Sequence, residues 1–236
     1  MERKNFLRSL AMTAISAPVL LEACKKDSKE TDALLAGGTA KTEAACIPTD
    51  PDMAGPYPLY GSRGSAINRV NIADNKPGIP LNIDITVQSV YRGCAPVTNA
   101  RVDIWHCDKD GYYSGYVNDG YLGVQNNQGR LFGRGLQYTN SVGKVHFASI
   151  YPGWYPGRCT HLHAQIFIGT TLYLTTQIAF PDAINAAVYN TSQYIAHGQN
   201  PTTNYLDSII SDSLATELAT VTNSGGVYNL SHVIKI

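Results

Sequence analysis

Apolar and polar residues alternate strictly over Leu81-Asn82-Ile83-Asp84-Ile85-Thr86-Val87. A period of two puts Leu81, Ile83, Ile85 and Val87 on one face, which predicts a half-buried strand. The turn-rich stretch Arg92-Gly93-Cys94-Ala95-Pro96 ends it. Further strands are predicted at 102–106, 143–150, 161–168 and 171–180, the last two split by Gly169, and residues 227–236 read as a closing strand. Short strands separated by turn signals predict an all-β fold, an antiparallel β-sandwich with short helices and long loops. Two stretches read as helical, 181–196 and 205–220. In the second, Leu206, Ile209, Ile210, Leu214 and Leu218 recur at helix spacing.

The first residues follow a different rule. Arg3, Lys4 and Arg8 precede an apolar run over 10–21, and Leu21-Glu22-Ala23-Cys24 closes it. This is the layout of a signal peptide, too short for a spanning helix. Leu-x-Ala-Cys resembles a bacterial lipobox, which makes 1–24 a lipoprotein signal peptide and Cys24 the lipid-bearing residue. Glu22 stands where a small residue is usual. Arg3-Lys4-Asn5-Phe6-Leu7-Arg8 also resembles a variant twin-arginine signal, so the export route stays open. Residues 25–45 are polar without an apolar period and read as a flexible tether. The expected location is therefore outside the cytoplasm, on a membrane facing the periplasm or the cell exterior, with the lipid on Cys24 as the sole membrane contact. Four cysteines remain beyond it, Cys46, Cys94, Cys107 and Cys159. An even number in an oxidising compartment suggests disulfides, and three pairings are open.

Lys+Arg and Asp+Glu both number 18, so no basic excess exists to neutralise phosphates and no nucleic-acid partner is expected. There is no GxGxxG loop, P-loop or GxSxG elbow, which leaves the commonest nucleotide and serine-hydrolase readings without a motif. With 15 Tyr against 5 Phe, phenol chemistry becomes worth seeking.

The densest stretch is Tyr151-Pro-Gly-Trp154-Tyr155-Pro-Gly-Arg158-Cys159-Thr-His161-Leu-His163. His-x-His on a strand aims both imidazoles to one side, a common way to hold a transition metal. No Asp or Glu lies within several residues, so a two-His-one-carboxylate ferrous site is not favoured locally. Phenolates are hard anionic donors, and two of them with two neutral imidazoles would suit Fe(III). A second source of phenols is the turn Gly111-Tyr112-Tyr113-Ser114-Gly115-Tyr116, which follows the strand ending at Trp105-His106.

Several motifs, in order, resemble the intradiol ring-cleavage dioxygenases. They are Gly55-Pro56-Tyr57, Pro96-Val97-x-x-Ala100-x-Val102-Asp103-Ile104-Trp105, Gly111-x-Tyr113, Arg134-Gly135 through Gly143-x-Val145-x-Phe147, Pro152-Gly153-x-Tyr155, Arg158-x-x-His161-x-His163 and Thr176-Gln177. The likeness covers roughly 46–181 and assigns 46–236 as an intradiol dioxygenase-like β-sandwich domain. It implies Fe(III) held by Tyr113, Tyr155, His161 and His163. It implies catalytic roles for Arg158, Tyr155 and Gln177, with Tyr155 leaving the metal when substrate binds and Tyr113 staying. Tyr57, Trp154 and Arg158 would contact the substrate. The implied partners are a small catecholic diol and O₂, the implied product is a cis,cis-muconate-type diacid, and a homo-oligomer is compatible.

The sequence departs from the larger members in a shorter segment between Tyr155 and His161, in Tyr138-Thr139-Asn140 where Thr-Asp is frequent, and in Leu162 where Ile is common. These leave the metal ligands in place and put the choice of catechol in doubt. Two other classes stay open. Cys159, His161 and His163 share a strand face and could hold zinc or copper if Cys159 is reduced. The paired strands also resemble transthyretin-like surface modules that bind without catalysis.

Overall fold

The alternating segment forms the central strand of the larger sheet. The computed structural model describes residues 46–58 and 64–236. The expected signal peptide (1–24, with Cys24) and tether (25–45) lie outside the described residues. The strands run β1 (Pro80–Ser89), β2 (Ala95–Pro96), β3 (Arg101–Trp105), β4 (Val117–Asn118), β5 (Gln125–Asn126), β6 (Arg134–Tyr138), β7 (Lys144–Ile150), β8 (His161–Ile168), β9 (Thr171–Ala179), β10 (Thr220–Ser224) and β11 (Val227–Lys235). Two α-helices, α1 (Asp182–Tyr189) and α2 (Leu214–Glu217), and 3₁₀ turns at Gly64–Ile67 and Val90–Arg92 accompany them.

In the first sheet the order is β10-β11-β1-β2, with β7 also pairing β1. The second sheet, β6-β3-β8-β9, is antiparallel throughout. Leu81, Ile83, Ile85 and Val87 of β1 meet Val102 and Ile104 of β3, and Leu162, Ala164 and Ile166 of β8, in one core. The all-β sandwich expected from the pattern is present. One pairing departs from it, because β11 runs parallel to β1, Leu81 opposite Tyr228 and Val87 opposite Ile234. The chain's last strand therefore joins the sheet from a distance, not through a hairpin to β1.

Both helical expectations need correction. In 181–196 only Asp182–Tyr189 is an α-helix, and in 205–220 only Leu214–Glu217. Leu206 and Leu218 of the apparent stripe are exposed, and Asp207 is turned fully inward along with Ile210. Among the cysteines, Cys46 and Cys94 form a disulfide with Cα atoms 5.7 Å apart, while Cys107 and Cys159 are buried free thiols. The even count thus gave one bridge, not two.

Candidate metal centre

β8 is buried on both sides. Its even positions feed the core, and His161, His163 and Gln165 face outward from the sandwich, where loops cover them. Register then builds a row across that outer face. Arg134 of β6 stands opposite Trp105 of β3, Trp105 opposite His163 of β8, and His163 opposite Gln177 of β9. Trp105 stacks on the His163 ring at 4.8 Å and 5°, which fixes the imidazole plane.

The donor atoms converge. His161 Nε2 lies 3.2 Å from His163 Nε2 and 3.3 Å from the Tyr155 hydroxyl. The Tyr113 and Tyr155 ring centroids are 5.7 Å apart. Tyr113 is buried; its hydroxyl feels the Tyr155 hydroxyl electrostatically, yet no well-formed hydrogen bond satisfies it. His161 Nδ1 lies 2.7 Å from the Cys159 carbonyl, so Nδ1 carries the proton and Nε2 keeps its lone pair for the cluster. Burial, with Arg158 nearby, pushes His161 down to about 3 and His163 well below the ordinary range, so both rings are neutral donors. Burial pushes Tyr113 far up and Tyr155 up to about 12, the latter offset partly by Arg158. Two neutral imidazoles and two phenols that only a strong positive charge would ionise fit a trivalent, oxygen-preferring metal.

Two loops deliver the tyrosines, and they are fastened backbone to backbone. A Cβ on Gly111 would strike the Trp154 carbonyl, and one on Gly153 would strike that of Lys109. Asp108 organises the Tyr113 loop. Its Oδ1 accepts from Asp110 N and Tyr112 N at 3.0 Å each, its carbonyl accepts from Gly153 N at 2.9 Å, and its Oδ2 pairs with Lys76 Nζ at 2.6 Å. On the other loop Trp154 stacks on His197 at 4.1 Å, and His197 stacks on Tyr121 at 4.0 Å. Tyr57 lies over Tyr113 at 4.7 Å, and its carbonyl accepts from the buried Arg134 at 2.7 Å. Gly55 leaves room at the His163 ring, since a Cβ there would sit 3.2 Å from Cε1.

Arg158 lies beside the cluster, buried. Its Nε donates to Asp207 Oδ2 at 2.8 Å and its Nη2 donates to Gln177 Oε1. Tyr57, Tyr113, Tyr155, Arg158, His161, His163 and Gln177 are thus brought to one region, whereas Trp154 stacks on His197 and packs against the main core. His106, by contrast, is bound to Cys107 O and Ser149 Oγ in the interior. Trp105 and Arg134 fell within the matched motifs but were given no site role, and Asp108 and Asp207 were given none either. For Trp105 the signal existed, since the Val102–Trp105 strand ends beside the metal motif; for Asp207 there was none. Cys159, His161 and Asp207 do offer donor atoms within 4.8 Å of one another. That trio makes a poor cation site. Asp207 is filled by Arg158 and by Cys159 N, the Cys159 thiol is pushed up by burial, and Cys159 packs with Ala179 and Ile210.

The strap that carries Gly55 and Tyr57 is anchored by an unusual carboxyl pair. Asp52 N donates to Thr175 O at 2.8 Å, and Asp52 faces the fully buried Glu217. The single Thr176 hydroxyl proton lies between Glu217 Oε1 and Asp50 O, both at 2.9 Å, and the Ser213 hydroxyl between Glu217 Oε2 at 2.6 Å and Ile210 O at 3.1 Å. Donors are too few for two carboxylates, so the pair holds a proton. Burial raises Glu217 to about 7 and Asp52 to about 6; Arg158 pulls Asp52 down, while Asp207 and Asp212 push it up. For raised carboxyls the stabilisation is complete in acid and is lost as pH climbs from about 4 through about 7. Glu217→Gln should therefore match the parent melting temperature at pH 5 and exceed it by about 3–6 °C at pH 8. A gap that does not change with pH would show that Glu217 is ionised throughout.

No protein-family model matches the chain. It is 30% identical over 101 residues to hydroxyquinol 1,2-dioxygenase of Corynebacterium glutamicum, covering 35% of this chain and 31% of that one. It is 29% identical over 138 residues to the protocatechuate 3,4-dioxygenase beta chain of Burkholderia cepacia, covering 52% and 57%. The solved intradiol ring-cleavage dioxygenase from Tetranychus urticae superposes with a TM-score of 0.71 at 25% identity, covering 81% of this chain and 95% of that one. Its relatives, by sequence and by structure, are intradiol ring-cleavage dioxygenases. The chain spans about a third of one curated relative and just over half of the other.

Proposed function

We propose that the chain is a ferric intradiol dioxygenase that inserts both atoms of O₂ into a catechol-type diol and yields a cis,cis-muconate-type diacid. The observation that carries the reading is the convergence of Tyr155 Oη and His163 Nε2 on His161 Nε2, at 3.3 and 3.2 Å, beside the unsatisfied phenol of Tyr113. Tyr113, Tyr155, His161 and His163 would hold Fe(III). When bound, that ion supplies Lewis acidity toward the diol oxygens and readies the ring for O₂.

The protein's own groups divide the work by burial. Tyr113 is fixed by Tyr57 stacked on its ring and by its N–H on Asn118 Oδ1 at 2.8 Å. Tyr155 is only half-buried, so its side chain is the one free to turn aside for substrate, and its Oη is placed to take a proton from a diol hydroxyl. Arg158, held rigidly, stabilises negative charge that develops beside the ring, and Gln177 steadies its Nη2 arm. Tyr57 and Trp154 wall the diol, Trp154 braced from behind by His197. Residues 1–45 would export the domain and tether it through Cys24; the Cys46–Cys94 bridge suits an oxidising compartment and supports this location.

Oxygen uptake by the iron-loaded protein with catechol and hydroxyquinol under ¹⁸O₂ tests the reaction. The expected product is a ring-opened diacid carrying two ¹⁸O atoms per molecule. A product that retains the ring, or carries one label, would overturn the proposal.

A further inference from the structure

Asp207 sits in a segment with no recognisable motif, yet it has no exposed surface and its carboxylate is fully subscribed. Oδ1 accepts from Ile209 N at 2.9 Å and Ile210 N at 3.3 Å, which locks the side chain to its own turn. Oδ2 reaches across the chain, to Arg158 Nε at 2.8 Å and to Cys159 N at 2.7 Å. The Cys159 peptide continues the connection, because its carbonyl receives His161 Nδ1 at 2.7 Å. One carboxylate thereby sets the guanidinium plane of Arg158 and, through a single residue's N–H and C=O, the ring orientation of a metal-binding histidine.

We infer that Asp207 is a positioning residue for the reaction, acting through Arg158 and through the Cys159 peptide on His161. This rests on the ferric dioxygenase reading of the site. Histidines that bind metals commonly need a partner on the far nitrogen, and here that partner is the backbone carbonyl of Cys159, the residue whose N–H is held by Asp207. A buried guanidinium without its counter-charge loses both its plane and its compensation, so removing the carboxylate unfastens Arg158 even though Gln177 remains on the other arm.

The test is a double-substitution cycle with Asp207→Asn and Arg158→Met, read in two ways. In the metal-free protein, the ¹⁵N-labelled Arg158 Nε–H should give a slowly exchanging resonance that disappears in Asp207→Asn. In the iron-loaded protein, Asp207→Asn should lower kcat by about 10–100-fold with KM changed less than about threefold, the split expected when a transition-state contact is misplaced. The tyrosinate-to-iron absorption should shift as His161 turns. In the Arg158→Met background the same change should lower kcat by much less than in the parent, because only the His161 arm is left to disturb, while still shifting the band. If Asp207→Asn alone does not fold, Arg158→Met is compared with the double variant, which carries neither buried charge. A loss of kcat under about tenfold between those two with a shifted band upholds the inference; a loss of about 10–100-fold, or an unmoved band, overturns it. A parent protein that takes up no oxygen and shows no such band would sink the dioxygenase reading instead, and the Nε–H result would still stand apart from it.

Discussion

Tyr113→Phe should leave a protein that folds as well as the parent, or better, and that has lost its reaction. The phenylalanine keeps the ring under Tyr57 and the packing with Trp105 and Cys107. What it removes is a hydroxyl buried without a formed hydrogen bond, a group that costs about 1–3 kcal/mol in the metal-free state. The metal-free variant should thus melt a few degrees higher, on the order of 2–4 °C per kcal/mol for a domain of this size. Groups behind a metal ligand are commonly worth about 10–100-fold, so losing a ligand should lower kcat by more than about 100-fold. Opposite signs in stability and activity are the signature of a group kept for function. A variant that melts lower than the parent without metal, or that keeps more than a tenth of kcat, would remove Tyr113 from the ligand set.

Gly153→Ala should be strongly damaging although it adds a single methyl group at a residue that binds nothing itself. Gly153 does not have a positive φ, so alanine suits its backbone. The obstacle is contact: the added Cβ would strike the Lys109 carbonyl and lie 3.0 Å from the Asp108 carbonyl oxygen. Backbone atoms of a pinned loop do not give way as a side-chain end does. The Tyr155 loop and the Tyr113 loop would have to separate, at about 3 kcal/mol, the upper end for overpacking. That corresponds to a melting temperature about 6–12 °C lower. A displacement of about 1 Å between reacting groups can reduce rate about 100-fold, so activity should fall together with stability. Gly157→Ala in the same loop is the control. It has φ +84° and open space around it, so it should show only the modest strain of a left-handed residue. If the two substitutions behave alike, the interlocked loops are not what holds the tyrosines.

Much of the site could be read from the sequence because its parts are local. His161 and His163 share a face through strand periodicity alone, and Tyr113 and Tyr155 each follow a glycine turn that resemblance could align. The alternation of 81–87 located the central strand correctly. What escaped is what long-range contact decides. The helical spacing over 205–220 was misleading because Asp207 must face inward to meet Arg158, and because Asp207 and Ser213 spend hydrogen bonds on nearby backbone and on Glu217 that compete with helix. The parallel partnership of β11 with β1 sets Leu81 opposite Tyr228, far along the chain, and no local pattern encodes it. The same holds for the Cys46–Cys94 bridge, one of three pairings that spacing left open. Trp105 illustrates the intermediate case: its strand was predicted, but its stacking on His163 follows only once the β3–β8 register is known.

The central claim is that Tyr113, Tyr155, His161 and His163 form one ferric site. It is tested most directly by titrating the metal-free domain with Fe(III), following visible absorption and bound iron together, and then adding a catechol in air. A broad tyrosinate-to-iron band should appear and saturate at about one iron per chain. It should shift when the catechol is added and return as O₂ is consumed. A protein that binds no iron, or binds it without colour, would contradict the site and return the choice to a non-catalytic sandwich or a different metal.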